Sequence, residues 1–501
     1  MRRITGRGTK RGTVRKWLAL LVGVPLLASQ LAGCATNPAT GEEVFTGGLT
    51  KSQEVKMGRD ARPGILKEFN GVYRYKDLDR YVSEIGQKLA RVSDRRDVDY
   101  SFTVVNSDIV NAFATPGGYI YVSRGLIALA DNESQLAAVL AHEIGHVAAL
   151  HHAQQYGTNL LANLGLAAAG IFGGEAGAKL GQLGAVSLLR SFSREHEYQA
   201  DQLGVRYLAR AGYDPGAMAT FLTELRADSR LTMIRRGESP DKVDQFNYLA
   251  THPAPAARVA RAAELARATD VKNPIVGRDA YLSEIDGMLY GDDPDQGFLV
   301  GREFYHPVLR FAFELPPGFS LFNTQQAVYA FGPDKAKIVF DGAPKKFAGS
   351  MQQYLRAVWA PNADLREVET IKVNGMEAAT AATTARLQDG SYDARLVAYR
   401  YDKDAIYRFV FLTQHKDTAK LSTDLRRTTY SFRKLPLRES INLKPLVVQV
   451  VTVRPGDTVD SLAARMAYPD YRVQRFRVLN GLKEGAPLKV GEKVKIVTKG
   501  S

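Results

Sequence analysis

The 501-residue chain carries 67 Lys and Arg against 53 Asp and Glu, a formal net charge of +14, and one cysteine, Cys34, which excludes an intramolecular disulfide framework. Seven of the basic residues lie in the first 16 positions, so the chain without residues 1–33 has a net charge of only +7. The remaining basic residues are not interleaved with aromatic residues as in a nucleic-acid groove, so we expect no nucleic-acid partner, and the length has room for two or three domains.

The N-terminus has the pattern of a secretory signal. The basic start is followed by an apolar run at 17–32, which is too short for a confident membrane span. The run ends in LAGC (31–34), which resembles the lipobox of bacterial lipoproteins, where the cysteine is lipidated and becomes the mature N-terminus. We therefore predict a lipoprotein signal peptide at 1–33 and lipidation of Cys34. An uncleaved anchor and a soluble secreted form are the alternatives.

Residues 51–123 predict helices followed by a small sheet. Residues 51–99 have a helical pattern, in which Tyr81, Ile85 and Leu89 recur at about one turn. Residues 100–105 alternate like a strand, PGG (116–118) predicts a turn, and 119–123 form a second predicted strand.

The sequence HEIGH (142–146) lies inside an apolar-periodic helix that Asp131 or Asn132 would cap. His142 and His146 are four residues apart, so they share one helix face. Two imidazoles placed in this way can bind one zinc ion, with Glu143 beside the metal to accept a proton from water. A helix with merely packed histidines is the alternative, and a third ligand decides between them.

Two positions compete for the third ligand. His152 has the spacing of a longer HExxH pattern, but that pattern needs a glycine where Ala149 stands. Since alanine is a strong helix former, we expect His152 to stay on the helix and point away. In the polar stretch 193–201, Glu197 and Asp201 share a helix face, so Glu197 can bind the metal while Asp201 reaches the outer nitrogen of a zinc-bound histidine.

Four motifs together resemble one protein family. They are NAFATPGGYIYV (111–122), HEIGH (142–146), REHEYQAD (194–201) and THPAPAAR (251–258). In this order they are similar to the zinc metallopeptidase family of the CAAX prenyl endopeptidase and HtpX, and most similar to its soluble periplasmic, BepA-like branch, over roughly residues 52–266. The resemblance implies a mainly helical zinc-peptidase domain with a small edge sheet and one zinc ion per chain.

The resemblance also implies roles for further residues. His252 would approach the zinc, and Arg258 would steady the oxyanion of the tetrahedral intermediate. A histidine before proline is, alternatively, a turn or capping residue. The strand predicted at 119–123 would edge the active-site cleft and pair with an extended substrate, or else be an ordinary core hairpin. The substrate-binding residues so implied are Asn111, Ala112, Phe113, Ala114, Gly117 and Gly118.

Residues 157–190 contain eight glycines, seven alanines and only three charged residues. This composition predicts two short helices over the cleft or a moving lid, because glycine eases hinge conformations. A buried helical pair is the alternative. The longest uncharged apolar part is too short to span a bilayer, although contact with a membrane surface stays open.

The C-terminal half predicts two further domains after a glycine-rich linker at 271–300. Residues 301–435 alternate strands (328–331, 337–340, 396–401, 406–412) with helices near 347–358 and 418–431, an α+β pattern that faintly resembles PsbP-like folds. Residues 446–499 resemble a LysM module, a βααβ fold whose family binds N-acetylglucosamine-containing glycans such as peptidoglycan. Ten basic and five acidic residues from position 446 onward would favour anionic wall polymer, although a module that only packs on its neighbours is the alternative.

The fold class that we expect is α+β: a zinc-peptidase domain at 34–270, the linker, the α+β domain and the LysM-like module. The expected function is that of a lipid-anchored zinc endopeptidase in the periplasm, at the outer membrane of a Gram-negative bacterium. Unfolded or misassembled envelope proteins would be its substrates, and peptidoglycan a further partner. The alternatives are a zinc-stabilised chaperone or wall-bound scaffold with little turnover, and a wall-binding lipoprotein with a vestigial protease.

Overall fold

The structure is a computed structural model that describes residues 33–168, 191–235, 239–244, 252, 256–324, 327–343, 346–387, 389–468 and 470–500. The predicted signal peptide up to residue 32 and the part of the glycine- and alanine-rich stretch from 169 to 190 lie outside these ranges. Among the helices within these ranges, none is both long and apolar enough to cross a bilayer.

The described residues between 33 and 270 are mainly helical. Their strands are β1 (Cys34–Thr36), β2 (Glu43–Phe45), β3 (Ser101–Val105), β4 (Ala112–Thr115) and β5 (Tyr119–Ser123). Their helices are α1 (Lys51–Glu68), α2 (Leu78–Ala90), α3 (Arg124–Leu129), α4 (Glu133–Ala148), α5 (His151–Ala168), α6 (Arg194–Arg210), α7 (Ala217–Arg235) and α8 (Ala256–Arg267), with a 3-10 turn at Pro240–Asp244. The strands predicted at 100–105 and 119–123 are confirmed as β3 and β5, whereas β4 was not predicted.

A small sheet borders the central helix α4. Its strand order is β3-β5-β4, with β3 parallel and β4 antiparallel to β5. Strand β4 is therefore an edge strand, and it packs beside α4. The expectation that the strand at 119–123 forms the edge is wrong, because β5 is paired with β3 on one side and β4 on the other. The apolar residues of α2, α4, α6 and α7 form one core with this sheet, so the central helix is covered from several sides.

Helix α4 begins and ends in ways that matter for the site. The Asn132 side chain caps it by accepting the backbone N–H of Gln135 at 3.0 Å, which confirms the predicted cap. The helix ends at Ala148, and Leu150 adopts the left-handed conformation with φ of 58°. The expectation that the helix continues through Ala149 to His152 is therefore wrong: the chain turns at Leu150, and α5 starts at His151.

The segment 271–300, predicted as a linker, is folded. It contains helix α9 (Arg278–Ile285), the short strand β6 (Leu289–Tyr290), a 3-10 turn (Pro294–Gln296) and strand β7 (Phe298–Val300). Tyr281, Leu282 and Ile285 on α9 are buried in the core of the preceding helical domain. Glycines at left-handed positions in this segment, such as Gly277 and Gly291, mark turns between packed elements rather than a flexible connection.

The next part of the chain is built on antiparallel sheets. Its further strands are β8 (Glu303–His306), β9 (Phe311–Glu314), β10 (Ser320–Asn323), β11 (Ala327–Phe331), β12 (Lys337–Ala343), β13 (Arg366–Val373), β14 (Met376–Leu387), β15 (Gly390–Arg400), β16 (Ile406–Thr413) and β17 (Arg433–Lys434). Its helices are α10 (Met351–Tyr354), which continues as a π-helix (Leu355–Trp359), α11 (Thr418–Ser431) and α12 (Leu437–Asn442). The order β10-β11-β12-β16-β15-β14-β13 forms a seven-stranded sheet, and β17-β9-β8-β7 a four-stranded one. The α+β fold class is confirmed, although β13 and β14 were not predicted because their Ala-, Thr- and Glu-rich sequences lack a strong apolar alternation.

The C-terminal module has the predicted βααβ order: β18 (Leu446–Thr452), α13 (Val459–Ala464), α14 (Arg472–Leu479) and β19 (Lys493–Lys499). Strand β18 pairs with β19 and, on its other side, with β6 of the preceding segment. The fully buried Lys495 Nζ donates to the carbonyl oxygens of Ala128, Leu129 and Ala130 at the end of α3. The module is thus joined to the helical domain by main-chain pairing and by a buried charge.

Candidate metal centre

The two histidines of the HEIGH sequence face each other on α4. His142 Nε2 lies 3.1 Å from His146 Nε2, and both side chains are buried. A four-residue spacing places them one turn apart on a single helix face, as the sequence predicted.

Glu197 approaches this pair from α6. Its carboxylate oxygens lie 3.6 Å from His142 Nε2 and 3.6 Å from His146 Nε2. Close packing of α6 on α4 makes this possible, because a Cβ at Gly145 would lie only 3.1 Å from the carbonyl oxygen of Ala200. Glu195, two residues before Glu197, is exposed and takes no part.

His252 brings a fourth donor. Its Nδ1 lies 3.3 Å from His142 Nε2 and 2.8 Å from a Glu197 carboxylate oxygen, while its Nε2 lies 3.5 Å from Glu143 Oε1. The resemblance implied that His252 approaches the zinc, and the structure places its ring among the other donors. The THPAPAAR positions 251 and 253–255 lie outside the described residues.

The donor set fits a zinc ion. One ligand atom from each of His142, His146, Glu197 and His252 can be chosen so that all four lie within 4.8 Å of one another. Tetrahedral zinc with ligands at about 2.0–2.1 Å requires its ligand atoms to lie about 3.3 Å apart. The observed contacts between these residues run from 2.8 to 3.6 Å, and imidazole and carboxylate are zinc's ordinary ligand types. His152 is not in the group, and its ring packs on Phe192 instead.

Glu143 is held by the edge strand. Its Oε2 accepts the backbone N–H of Ala114 on β4 at 2.9 Å, and the side chain is buried. The other carboxylate oxygen points to the side of His252. The strand therefore orients the carboxylate next to the donor cluster, where a general base is needed.

Asp201 and Arg258 support the cluster from behind. Asp201 Oδ1 lies 3.0 Å from His142 Nδ1, the nitrogen that points away from the other donors, as expected. Arg258 donates to both Asp201 oxygens at 2.7 and 2.8 Å and lies 2.6 Å from Glu197 Oε2. The guanidinium thus positions two carboxylates, and its oxyanion role stays a prediction.

Burial and these charges set the ionisation of the site. Burial alone would lower the pKa of His142, but hydrogen bonds to Asp201 and Glu197 outweigh it and raise that pKa to about 9. Burial tends to raise the pKa of Glu197, yet the charges of His252 and Arg258 hold it well below its ordinary value. Burial and the neighbouring histidines lower the pKa of His146 well below its ordinary value. The lowered pKa of Glu197 favours its ionised form, the form that can bind a cation.

A mostly apolar cleft opens beside Glu143, and its volume is about 440 Å³ when the open solvent at its mouth is included. It is lined by Val110, Asn111, Ala112, Leu126, Val139, His142, Glu143, Met218, Phe221, Leu222, Leu225, His252 and Arg258. The apolar residues of α7 recur at helical spacing on one face, and they form one wall opposite the edge strand. The cleft can receive an apolar side chain next to the donor cluster.

The implied substrate-binding residues divide into two groups. Asn111 and Ala112 line the cleft, and the N–H of Ala114 points away from β5 towards Glu143. Phe113 packs on Phe69 and Tyr121 in a separate apolar cluster.

Gly117 and Gly118 do not line this cleft. They form the turn before β5, with φ of 84° and 86°, and a Cβ at Gly117 would lie 2.6 Å from Val55 Cα. Turn geometry explains both glycines, together with close packing of Gly117 on α1 and of Gly118 on Val98, so their role in substrate binding stays a prediction.

The sequence reasoning missed His151 and Gln199. His151 Nδ1 lies 2.9 Å from His146 Nδ1, and its Nε2 lies 2.7 Å from Gln199 Oε1. Burial and the charge of His196 lower the pKa of His151 to about 3, so its ring is neutral at physiological pH. The sequence does show two adjacent histidines, His151 and His152, soon after HEIGH. Only the turn at Leu150 decides that His151 is the one that contacts His146.

A buried HExxH helix whose histidines face a carboxylate on a second helix defines the class of zinc metallopeptidase domains. The family description "Peptidase family M48" matches residues 76–266, and "LysM domain" matches residues 451–497. The chain thus carries a Peptidase family M48 domain at 76–266 and a LysM domain at 451–497, which confirms the resemblance.

Two bacterial relatives show how far the similarity extends. The beta-barrel assembly-enhancing protease of Escherichia coli (strain K12) is 34% identical over 257 residues, which cover 47% of this chain and 48% of that protein. The metalloprotease LoiP of the same organism is 29% identical over 219 residues, 41% of this chain and 84% of that protein. The chain thus spans about half the length of the assembly-enhancing protease that it matches.

Among solved structures, cyanobacterial PsbP from Synechocystis sp. PCC 6803 is similar over 28% of this chain and 98% of its own, with 12% identity and a TM-score of 0.23. That score is too low for an inference about fold or function. The PsbP-like character of 301–435 stays a prediction.

Proposed function

We propose that this chain is a zinc-dependent endopeptidase of the bacterial cell envelope. The observation that carries the proposal is the position of Glu143, which Ala114 of an edge strand holds at 2.9 Å beside a buried cluster of four metal donors. The similarity to the assembly-enhancing protease supports the envelope as its location.

His142, His146 and Glu197 would hold the metal. A bound zinc ion supplies Lewis-acid chemistry, polarising the scissile carbonyl and lowering the pKa of water to about 7. Glu143 accepts the proton of the attacking water and later delivers it to the leaving amine. Asp201 and Arg258 keep the metal-binding side chains in position throughout.

The edge strand supports an extended peptide as the substrate. Residues two apart on a strand point the same way, so the main-chain groups of Ala112 face away from β5 as those of Ala114 do. An extended chain can add to this edge by main-chain hydrogen bonds while its side chain enters the apolar cleft. Folded proteins do not offer such a strand, and we therefore propose unfolded or misassembled envelope proteins as substrates.

Glu143→Gln tests the chemistry. Glutamine cannot accept the water's proton, so casein cleavage by the purified protein should fall about 10²- to 10⁴-fold while zinc content and fold stay unchanged. Glu195→Gln makes the same change at an exposed position of α6 and should retain full activity. Retained cleavage in Glu143→Gln would contradict the proposal.

A second candidate function has its own supporting observation. Four protein donors close a tetrahedral site, as in structural zinc sites, whereas catalytic sites keep one position open. With His252 bound, the domain would be a zinc-stabilised chaperone or scaffold with little turnover. The mutant of His252 described in the Discussion separates a latent enzyme from such a scaffold.

We further propose that lipid on Cys34 anchors the protein to the outer membrane from the periplasmic side. Cys34 starts β1 and pairs with Phe45 on β2, so the anchor would lead directly into folded structure. Cys34→Ser should move the protein from the membrane to the soluble periplasmic fraction. A variant that still sediments with membranes would contradict this attachment.

The LysM domain supports peptidoglycan as a partner. Its net charge would favour anionic wall polymer. Sedimentation of the purified chain with isolated peptidoglycan tests this part of the proposal. If the protein stays in the supernatant, the LysM domain does not bind peptidoglycan and only packs on the peptidase domain.

A further inference from the structure

The two histidines of α4 use different supports for the nitrogen that points away from the metal donors. His142 Nδ1 faces the carboxylate of Asp201 at 3.0 Å. His146 Nδ1 instead faces His151 Nδ1 at 2.9 Å, and His151 Nε2 faces Gln199 Oε1 at 2.7 Å. His146 and His151 are both completely buried, so water cannot replace the contact between their rings.

The metal at one end and Gln199 at the other decide which nitrogen of His146 and His151 donates and which accepts. If His146 binds a metal through Nε2, that nitrogen offers its lone pair, and a neutral ring then carries its proton on Nδ1. Nδ1–H must donate to His151 Nδ1, which therefore has to be unprotonated. A neutral His151 then carries its proton on Nε2 and donates it to Gln199 Oε1, an oxygen that can only accept.

We propose that His151 and Gln199 are positioning residues, which fix the tautomer and ring orientation of His146 and so keep its Nε2 directed at the metal. The inference rests on the proposed metal site. The two residues act on His146 without adding negative charge, in contrast to Asp201 on His142.

Three elements have to meet for this arrangement. The left-handed Leu150 forms the turn between α4 and α5, and this turn places the His151 ring against the His146 ring. Gln199 lies on α6 two residues after Glu197, so one helix carries both a metal donor and the amide that accepts from His151. The contacts from His146 through His151 to Gln199 are called the relay below. The His151 ring also stacks on His196 with centroids 4.2 Å apart, which holds its plane.

Zinc affinity of the full chain tests the proposal without relying on proteolysis. His151→Phe keeps an aromatic ring but removes the acceptor, and zinc should bind about 10- to 100-fold more weakly in competition with a zinc-binding dye. The matched control is His152→Phe, the same change at the adjacent buried histidine, which should bind zinc like wild type. His151→Gln restores an acceptor oxygen and should recover most of the affinity.

The far end of the relay has its own variants and a spectroscopic readout. Gln199→Leu removes the acceptor and should weaken zinc binding, whereas Gln199→Glu keeps an acceptor and should not. In ¹⁵N-histidine spectra of the zinc-loaded protein, His146 should carry its proton on Nδ1 and His151 on Nε2. Gln199→Leu should abolish the uniform tautomer of His151.

The outcomes separate the two proposals. Equal zinc affinity of His151→Phe and wild type would overturn the relay, and so would an equal loss in His152→Phe, since packing would then explain both. A wild-type chain that binds no zinc would overturn the metal site itself.

Discussion

The positive charge of Arg258 allows Glu197 to serve as a buried carboxylate donor next to Asp201. Glu197 and Asp201 lie one turn apart on α6, and both are almost completely buried. Two buried carboxylates so close would repel each other, but Arg258 contacts both of them. The guanidinium lowers the pKa of each, against the effect of burial, and leaves the Glu197 carboxylate free to accept a metal as well.

Glu197→Ala should lose stoichiometric zinc and lower the melting temperature, because the metal stabilises only the folded state. Metal content by mass spectrometry of the purified protein is the measurement. Glu195→Ala on the same helix, at an exposed position, should keep both properties. Zinc loss in His152→Ala but not in Glu197→Ala would show that the wrong third ligand was chosen.

His252→Ala should raise the basal cleavage of unfolded protein. A neutral imidazole at the fourth position takes the place that a catalytic water needs, and its removal leaves His142, His146 and Glu197 to hold zinc. Casein turnover and zinc content are measured on the same sample, with Arg258→Ala beside it. If activity instead falls as it does in Arg258→Ala, His252 assists the reaction and does not block it.

At the scale of elements, the two ends of α4 control the site. Asn132 caps the N-terminus, and the left-handed Leu150 sets the direction in which the chain leaves. Because α4 is buried along its whole length, polar groups at its ends have to be satisfied by protein atoms. The edge strand β4 also holds the site in place, because the Ala114 N–H donates a hydrogen bond to the Glu143 carboxylate.

Asn132→Ala should cost about 1 kcal/mol of unfolding free energy, since alanine cannot accept the N–H of Gln135. Denaturant unfolding of the metal-free protein measures the change. Asn132→Ser supplies another good capping oxygen and should stay close to wild type. An alanine variant as stable as the serine variant would mean that the cap does not limit this helix.

At the scale of the whole molecule, the C-terminal module has its own apolar core but packs closely on the peptidase domain. Lys495 inserts between the end of α3 and the start of α4, where its Nζ lies 3.1 Å from Asp131 Oδ1. Glu224 of α7 lies at the same junction, and a Cβ at Gly481 of the LysM domain would come within 2.7 Å of its carboxylate. The LysM domain therefore contacts the residues at the start of α4, the helix that carries His142 and His146.

Lys495→Met should destabilise the full chain by about 3–5 kcal/mol, because it removes the buried cation next to Asp131 and leaves only the more distant Arg278 at 3.8 Å. Lys493→Met on the same strand removes a lysine that lies 3.9 Å from the exposed Asp279, and it should change stability by less than about 1 kcal/mol. Denaturant unfolding followed by far-UV circular dichroism compares the two. Equal effects would show that the buried pair contributes nothing specific.

Glu224 predicts a pH dependence of stability. Burial and the charge of Asp131 raise the pKa of Glu224 to about 8. The folded state therefore holds a proton that the unfolded state releases above about pH 4.5, so this contribution to stability is complete at low pH and is lost as pH rises towards 8.

Glu224→Gln cannot ionise, so its stability relative to wild type should increase from about pH 5 to about pH 8. Unfolding of the metal-free proteins across this range is the measurement, with Glu195→Gln as the exposed control. A constant difference between Glu224→Gln and wild type would contradict the assignment.

The sequence by itself determined the features that depend on helical period and local motif. His142 and His146 share a helix face, and so do Glu197 and Asp201, because residue spacing holds in any fold that keeps the helix. Spacing left Asp131 and Asn132 as alternative caps, and the structure selects Asn132. The βααβ order of the LysM domain and its family followed from short motifs in the same way.

Only the tertiary structure decided the features that depend on contacts between distant segments. The left-handed Leu150 has no signature, since leucine rarely adopts that conformation, so neither the end of α4 nor the place of His151 was predictable. The partners of Arg258 and Lys495 lie 57 and more than 360 residues away in sequence, and the segment 271–300 folds because packing on the core outweighs its glycine content. Local spacing fixes which residues share a face, but only packing decides what that face meets.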